Sequence, residues 1–142
     1  MNISFSTRSS GLLLAASLMI VLTGCGKSSG NQFETYHISG KVIYDGQPLP
    51  FGTIVFEPDP SKGSAGPQGT ASIKDGVYDT SKGGTGSVGG PMIVTISGMT
   101  HEAVVEGGEG RFLFQDYKTT KDLPRETTTA DFDIPKDRKK WK

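Results

Sequence analysis

The stretch Gly69-Thr70-Ala71-Ser72-Ile73-Lys74-Asp75-Gly76-Val77-Tyr78-Asp79-Thr80 decides the fold class. Two short β-prone runs flank an Asp-Gly pair. The tight turn that suits a hairpin needs positive φ at both central positions, and Asp followed by Gly tolerates this well. The stretch therefore reads as strand 69–74, a turn, and strand 77–80. Working outward, the hydrophobic period stays at two rather than 3.6. Upstream, Tyr36, Ile38, Gly40, Val42 and Tyr44 share one face, with His37, Ser39 and Lys41 on the other. Asp45-Gly46 ends that strand, and Pro48 and Pro50 prevent its resumption. In 51–57, Ile54 and Phe56 alternate against Val55; Pro58-Asp59-Pro60 stops the strand, and 61–68 is a Gly-, Ser- and Pro-containing loop. Downstream, Met92, Val94 and Ile96 alternate with Ile93, Thr95 and Ser97. A sixth strand over 111–117 places Phe112 and Phe114 on one side. A seventh over 127–134 turns Ala130, Phe132 and Ile134 inward and Asp131 and Asp133 outward. The best helical rival, 100–106, is too short and too rich in Val. About seven short strands between turn signals predict an all-β fold, an antiparallel β-sandwich of Ig-like Greek-key type.

Composition agrees with strands and turns. Gly, at 20 residues of 142, has about twice its usual share. Lys plus Arg and Asp plus Glu balance at 15 each, which gives no electrostatic footprint for nucleic acid. The single cysteine cannot form an internal disulfide.

That cysteine has a particular setting. Residues 1–10 carry Arg8 and no acid, and GLLLAASLMIVL follows at 11–22. The apolar run is too short for a hydrocarbon core, which needs about 20 residues, and has the length of a signal-peptide apolar region. Leu22-Thr23-Gly24-Cys25 then resembles a lipobox, the bacterial lipoprotein signal. The resemblance implies cleavage between Gly24 and Cys25, with the Cys25 thiol accepting a diacylglyceryl group and the new amino terminus open to further acylation, for instance with palmitate. Two or three chains exceed what stable anchoring needs, at about 0.8 kcal/mol per buried methylene. Gly26-Lys27-Ser28-Ser29-Gly30-Asn31 reads as a flexible tether. Gly26 is not the Asp that marks inner-membrane retention in enteric bacteria, so the outer membrane is favoured wherever one exists.

Ile38-Ser39-Gly40-Lys41-Val42-Ile43-Tyr44-Asp45-Gly46-Gln47-Pro48-Leu49 resembles the opening of carboxypeptidase regulatory-like and transthyretin-like domains. Gly52-Thr53-Ile54-Val55-Phe56, the hairpin at Asp75-Gly76-Val77-Tyr78 and the closing run 123–135 fit the same pattern. The likeness covers 36–135 and implies a transthyretin-like β-sandwich, mostly in an accessory role. The family's usual Pro-Gly-x-Tyr lead is replaced by Gly89-Gly90-Pro91-Met92-Ile93. Its hydroxyisourate hydrolase branch ends in Tyr-Arg-Gly-Ser and uses histidines. This chain ends Arg138-Lys139-Lys140-Trp141-Lys142 and holds only His37 and His101.

Other candidate chemistry is weighed residue by residue. Gly84-Thr85-Gly86-Ser87-Val88-Gly89 matches the dinucleotide spacing G-x-G-x-x-G, but that device needs a helix to follow, and Gly90-Pro91 and a β-branched run follow here. The segment reads as a flexible inter-strand loop. A zinc site needs three or four ligands, and His37 and His101 lie in unrelated segments. Glu102, Glu106 and Glu109 lack the alternating pattern of a calcium loop. Asp131 and Asp133 share a strand face and read as its wet side. The tail 136–142 is basic, carries Trp141, and reads as a frayed terminus able to meet anionic headgroups or a polymer.

The expected organisation is a signal peptide at 1–24, lipidated Cys25 and tether over 25–34, a β-sandwich domain at 35–135 and a basic tail at 136–142. The expected role is a non-enzymatic binding or structural module of the cell envelope, without metal or cofactor. It is held to a membrane through lipid on Cys25 and meets an envelope protein or polymer rather than nucleic acid. The loops 61–68, 81–90 and 100–110 would face a partner. Two alternatives stay open: a small hydrolase using His37 or His101, and an adhesion or assembly subunit that pairs through an edge strand, with 51–57 as the candidate.

Overall fold

The computed structural model describes residues 33–101 and 110–141. Gly24 and Cys25, the segment before them, the tether to residue 32, and Glu102, Glu106 and Glu109 lie outside these residues. The described chain is all-β. Its strands are β1 (Ile38–Tyr44), β2 (Gln47–Pro48), β3 (Phe51–Pro58), β4 (Gly69–Lys74), β5 (Val77–Asp79), β6 (Gly90–Met99), β7 (Phe112–Leu123), β8 (Thr128–Thr129) and β9 (Phe132–Ile134). Short 3-10 turns at Pro60–Lys62 and Arg138–Lys140 are the only helical pieces among the described residues, and no helix there is long and apolar enough to cross a membrane.

The strands form one curled sheet in the order β2-β1-β5-β4-β3-β6-β7, with β8 and β9 on the other side of β1. The hairpin that fixed the fold class is present with Ile73 opposite Tyr78, and φ is positive at Asp75 (50°) and Gly76 (74°). Asp45 (53°) and Gly46 (76°) make the same kind of turn between β1 and β2. Neighbours along the main path are antiparallel, whereas β8 and β9 run parallel to β1. The direction follows from parity. Because β2 and β3 run in the same sense, five reversals bring β7 down to the end where β1 begins, and residues 124–127 carry the chain across, so it climbs beside β1 in the same sense.

One hydrophobic cluster fills the concave side. Ile38, Val42, Ile54, Phe56, Ile73, Tyr78, Met92, Val94, Ile96, Phe114 and Ile134 are all at most 2 % exposed. The alternation read from the sequence sets these positions, because side chains point to opposite faces with a period of two. The curl brings distant strands of the order together: Tyr44 of β1 lies 4.7 Å from Phe114 of β7, ring to ring, and Phe132 of β9 packs on Phe56 and Tyr78.

Two departures from simple alternation have local causes. In β7, Phe112 is 57 % exposed and Phe114 only 1 %, although two residues apart they should share a face. The β6–β7 register slips twice, between the Ile96–Tyr117 and Gly98–Phe114 pairs and again before Met99–Phe112. Each slip inserts one extra residue in β7, and a bulge of this kind reverses the facing beyond it. Asp116, at φ 54°, absorbs the first, and its N–H is taken by the Ser97 hydroxyl at 3.2 Å. The closing strand is likewise split, into β8 and β9, at Ala130-Asp131.

The basic tail does not fray within the described residues. Asp137 caps the turn at Arg138–Lys140 by accepting from Lys139 N–H at 3.0 Å. Trp141 then returns edge-on to Phe114 and Tyr117, and its indole N–H donates to the Pro135 carbonyl at 2.8 Å. Lys136 pairs with Asp45 at 3.1 Å.

Candidate functional site

The sheet has two ends with different contents. At one, the chain enters: Tyr36 bridges Ser87, and the turn after β3, the loop 80–89 and the crossing at 124–127 cluster there. At the other lie the two Asp-Gly turns, His101 and the folded tail. β1 separates them by about 20 Å.

His37 stands just before β1, at the entry end, and His101 just beyond β6, at the far end. Both are exposed, and about 30 Å of strand separates them along β6. The His101 Nδ1 stands 3.0 Å from its neighbour Thr100 Oγ1. Among the described residues no group of three or more His, Cys, Asp or Glu side chains converges as a metal site would require. The acids that follow His101, like Gly24 and Cys25, lie outside those residues.

The carboxylates singled out in the closing strand are exposed, but one has a structural task. Where β8 gives way to β9, Ala130 N–H still bonds Ser39 at 2.9 Å, and the next backbone donor, Lys41 N–H, goes to Asp131 Oδ1 at 2.7 Å. The Tyr78 hydroxyl donates to the Ala130 carbonyl at 2.6 Å. Gly40 lets these strands touch: a Cβ there would lie 2.0 Å from the Ala130 oxygen. Burial pushes the Tyr78 phenol well above the usual tyrosine pKa, and the Asp131 charge adds to the shift. A phenol held neutral and fixed on a carbonyl is a strut, not an acid poised for exchange.

Two further acids are spent on turns. Asp59 Oδ1 accepts from Ser61 N–H (3.0 Å) and Oγ–H (2.6 Å). Asp79 Oδ1 does the same for Ser81, at 2.9 and 2.6 Å. The seryl hydroxyl bonds lower both pKa values, because they stabilise the ionised form.

The glycine-rich segment 84–89 is not the free loop expected of it. Thr85 exchanges two backbone hydrogen bonds with Thr70, and Ser87 exchanges two with Tyr36. A Cβ at Gly84 would sit 2.1 Å from the Thr70 carbonyl oxygen, and one at Gly86 2.8 Å from that of Tyr36. These glycines permit close backbone approach, and a strand rather than a helix follows them. The segment 51–57 is also not an edge. β3 pairs with β4 on one side and with β6 along its full length on the other.

One concave feature escaped sequence reading. A shallow groove of about 380 Å³ opens at the entry end, lined by Phe33, Tyr36, Ser64, Val88 and Arg125 among others. Phe33 is 43 % exposed, and the Tyr36 hydroxyl donates to Glu34 at 2.9 Å. That bond raises the Tyr36 pKa, because it holds the neutral phenol as donor to a carboxylate. An aromatic wall with one cation can hold a ligand by contact. Its residues come from segments remote in sequence, so no local pattern announces it. No family model matches the chain, and no curated protein does.

Proposed function

We propose that this chain is a lipoprotein of the bacterial cell envelope. In this reading, lipid on Cys25 anchors a non-enzymatic β-domain that serves as a binding or structural module. The observation that carries the proposal is the run GLLLAASLMIVL followed by Leu22-Thr23-Gly24-Cys25, with the only cysteine of the chain at the one position where that signal needs it. The sheet begins at Ile38, a short stretch beyond Cys25, which suits a tethered domain.

The finer fold reading, a transthyretin-like or carboxypeptidase regulatory-like sandwich, belongs to the same proposal. It is supported by the hairpin at Asp75-Gly76 and by the curl that lays Tyr44 on Phe114 and Phe132 on Phe56, so that distant parts of one sheet face close on one core. Gly26 after the cysteine favours the outer membrane where the cell has one.

Expression of the full chain in a bacterium fed an alkyne fatty acid tests the anchor. The chain should take the label and sediment with membranes, and Cys25→Ser should abolish both. Label retained by Cys25→Ser would overturn the reading.

A further inference from the structure

We propose that β7 is a homodimerisation edge, along which two copies of this chain pair antiparallel over residues 117–123 about a two-fold axis at Thr120.

Among the described residues, β7 hydrogen-bonds on one side only, to β6, so its other side carries a row of backbone donors and acceptors without a ladder partner. Such an edge is a template for another strand. Its two halves differ. The stretch 112–116 is kinked by both bulges, which spoils it for pairing, whereas 117–123 runs in unbroken register against 96–90. The straight half, Tyr117-Lys118-Thr119-Thr120-Lys121-Asp122-Leu123, carries two adjacent β-branched threonines and exposes Lys118, Thr120, Lys121 and Asp122.

The charges of this half are self-complementary in one arrangement. Lys118, Thr120 and Asp122 lie opposite Thr95, Ile93 and Pro91, on the convex face, because Met92, Val94 and Ile96 of β6 are buried on the other. An antiparallel pair centred on Thr120 sets Lys118 of each copy directly across from Asp122 of the other, and Thr119 across from Lys121. Both ion pairs form on the same face, and Thr120 meets its own copy.

The neighbouring registers that keep the same faces aligned are penalised. Centring on Thr119 sets Lys118 against Thr120 and carries Asp122 past the straight half, losing both ion pairs, and centring on Lys121 opposes lysine to lysine. In-register parallel stacking places like charges over one another throughout, which is unfavourable for directly opposed residues. Lysine on an edge commonly serves to prevent pairing. Here the lysines exclude parallel and shifted pairings but leave one antiparallel register open. An isologous contact of this kind closes at two copies and builds no fibre. Confinement of a tethered domain to a surface would further raise the local concentration of copies.

The inference does not depend on the lipid, and disulfide trapping tests the two separately. Full-length chains carrying Thr120→Cys, with Cys25 either retained or replaced by Ser, are oxidised mildly with copper phenanthroline in intact cells. At the axis the Cα atoms of paired residues stand about 4.5–5.5 Å apart, within disulfide reach. Thr120→Cys should give a covalent dimer in both backgrounds, and the chain without it should give none. Lys118→Cys alone should not crosslink, since its two copies stand four residues out of register, but co-expressed with Asp122→Cys it should. In sedimentation of the Cys25→Ser chain, Lys118→Asp should weaken the dimer roughly tenfold, from loss of two cross-strand ion pairs and creation of two repulsions. The double exchange Lys118→Asp with Asp122→Lys should restore it. Equal crosslinking at 118 and 120, failure of Thr120→Cys to crosslink, or no rescue by the double exchange would overturn the register.

Discussion

Tyr78→Phe removes one oxygen from the core, and its effect should depend on pH in a way that reports the phenol itself. At neutral pH the loss is the 2.6 Å bond to the Ala130 carbonyl at the β8–β9 break. A buried acceptor deprived of its donor costs about 1–2 kcal/mol. The native Tyr78 holds its proton to a higher pH than a free tyrosine does. A group whose folded pKa is raised contributes stability in full below its unfolded value, and that contribution is lost as pH rises toward the folded value. The unfolded phenol ionises near pH 10, so one unit higher the unfolded state has gained about 1.4 kcal/mol that the native state cannot match. Tyr78→Phe has no such loss. The gap between wild type and variant should therefore shrink from about 1–2 kcal/mol at neutral pH to near zero at about pH 11. Urea titrations at both pH values, followed through Trp141 as the single tryptophan, measure it; the remaining tyrosines and lysines cancel in the difference. A gap that stays constant from neutral pH to about pH 11 would refute the buried, carbonyl-bound phenol.

Two further substitutions probe the same seam and the tail. Gly40→Ala drives a methyl group to within 2.0 Å of the Ala130 oxygen; the two nearest atoms belong to the Ala130 backbone, so β8–β9 must move off β1, at about 3 kcal/mol in urea midpoint stability. Trp141→Ala gives up two edge-on ring contacts and the bond to the Pro135 carbonyl. It should cost about 2 kcal/mol by thermal or urea unfolding, whereas a tail that is merely solvated would cost nothing.

What the sequence revealed was local. The hairpin at Asp75-Gly76 needs only the backbone preferences of two residues, and β4 occupies the 69–74 expected of it. Alternation in Met92, Val94 and Ile96 likewise reports burial directly. What escaped depends on partners remote in sequence. Phe112 turns outward because β7 gains residues against β6, and nothing within 111–117 encodes that count. Trp141 docks because Phe114 and Tyr117 present their rings, and the 84–89 glycines are pinned by Thr70 and Tyr36. The centrality of β3 is a matter of strand order, which periodicity does not carry. For the candidate site the balance reverses. The proposed lipidation signal at Cys25 lies outside the described residues and is legible only as sequence, whereas the Phe33–Arg125 groove and the β7 edge need the assembled sheet.

The parallel pairing of β1 with β8 and β9 has a mechanical consequence. These strands are the first long strand of the sheet and its last two, joined through Ile38–Thr128, Ser39–Thr129 and the run Val42–Phe132 to Tyr44–Ile134. A pull between Phe33 and Trp141 draws β1 toward the entry end and β9 toward the opposite one. The force runs along the strands and across their hydrogen bonds, so the bonds are loaded together in shear instead of opening one at a time like a zip. The Trp141 clasp lies outside that clamp and would peel away first, leaving the sheet whole. Under the proposed anchoring through Cys25, β1 with β8 and β9 is thus the set of strands placed to bear tension.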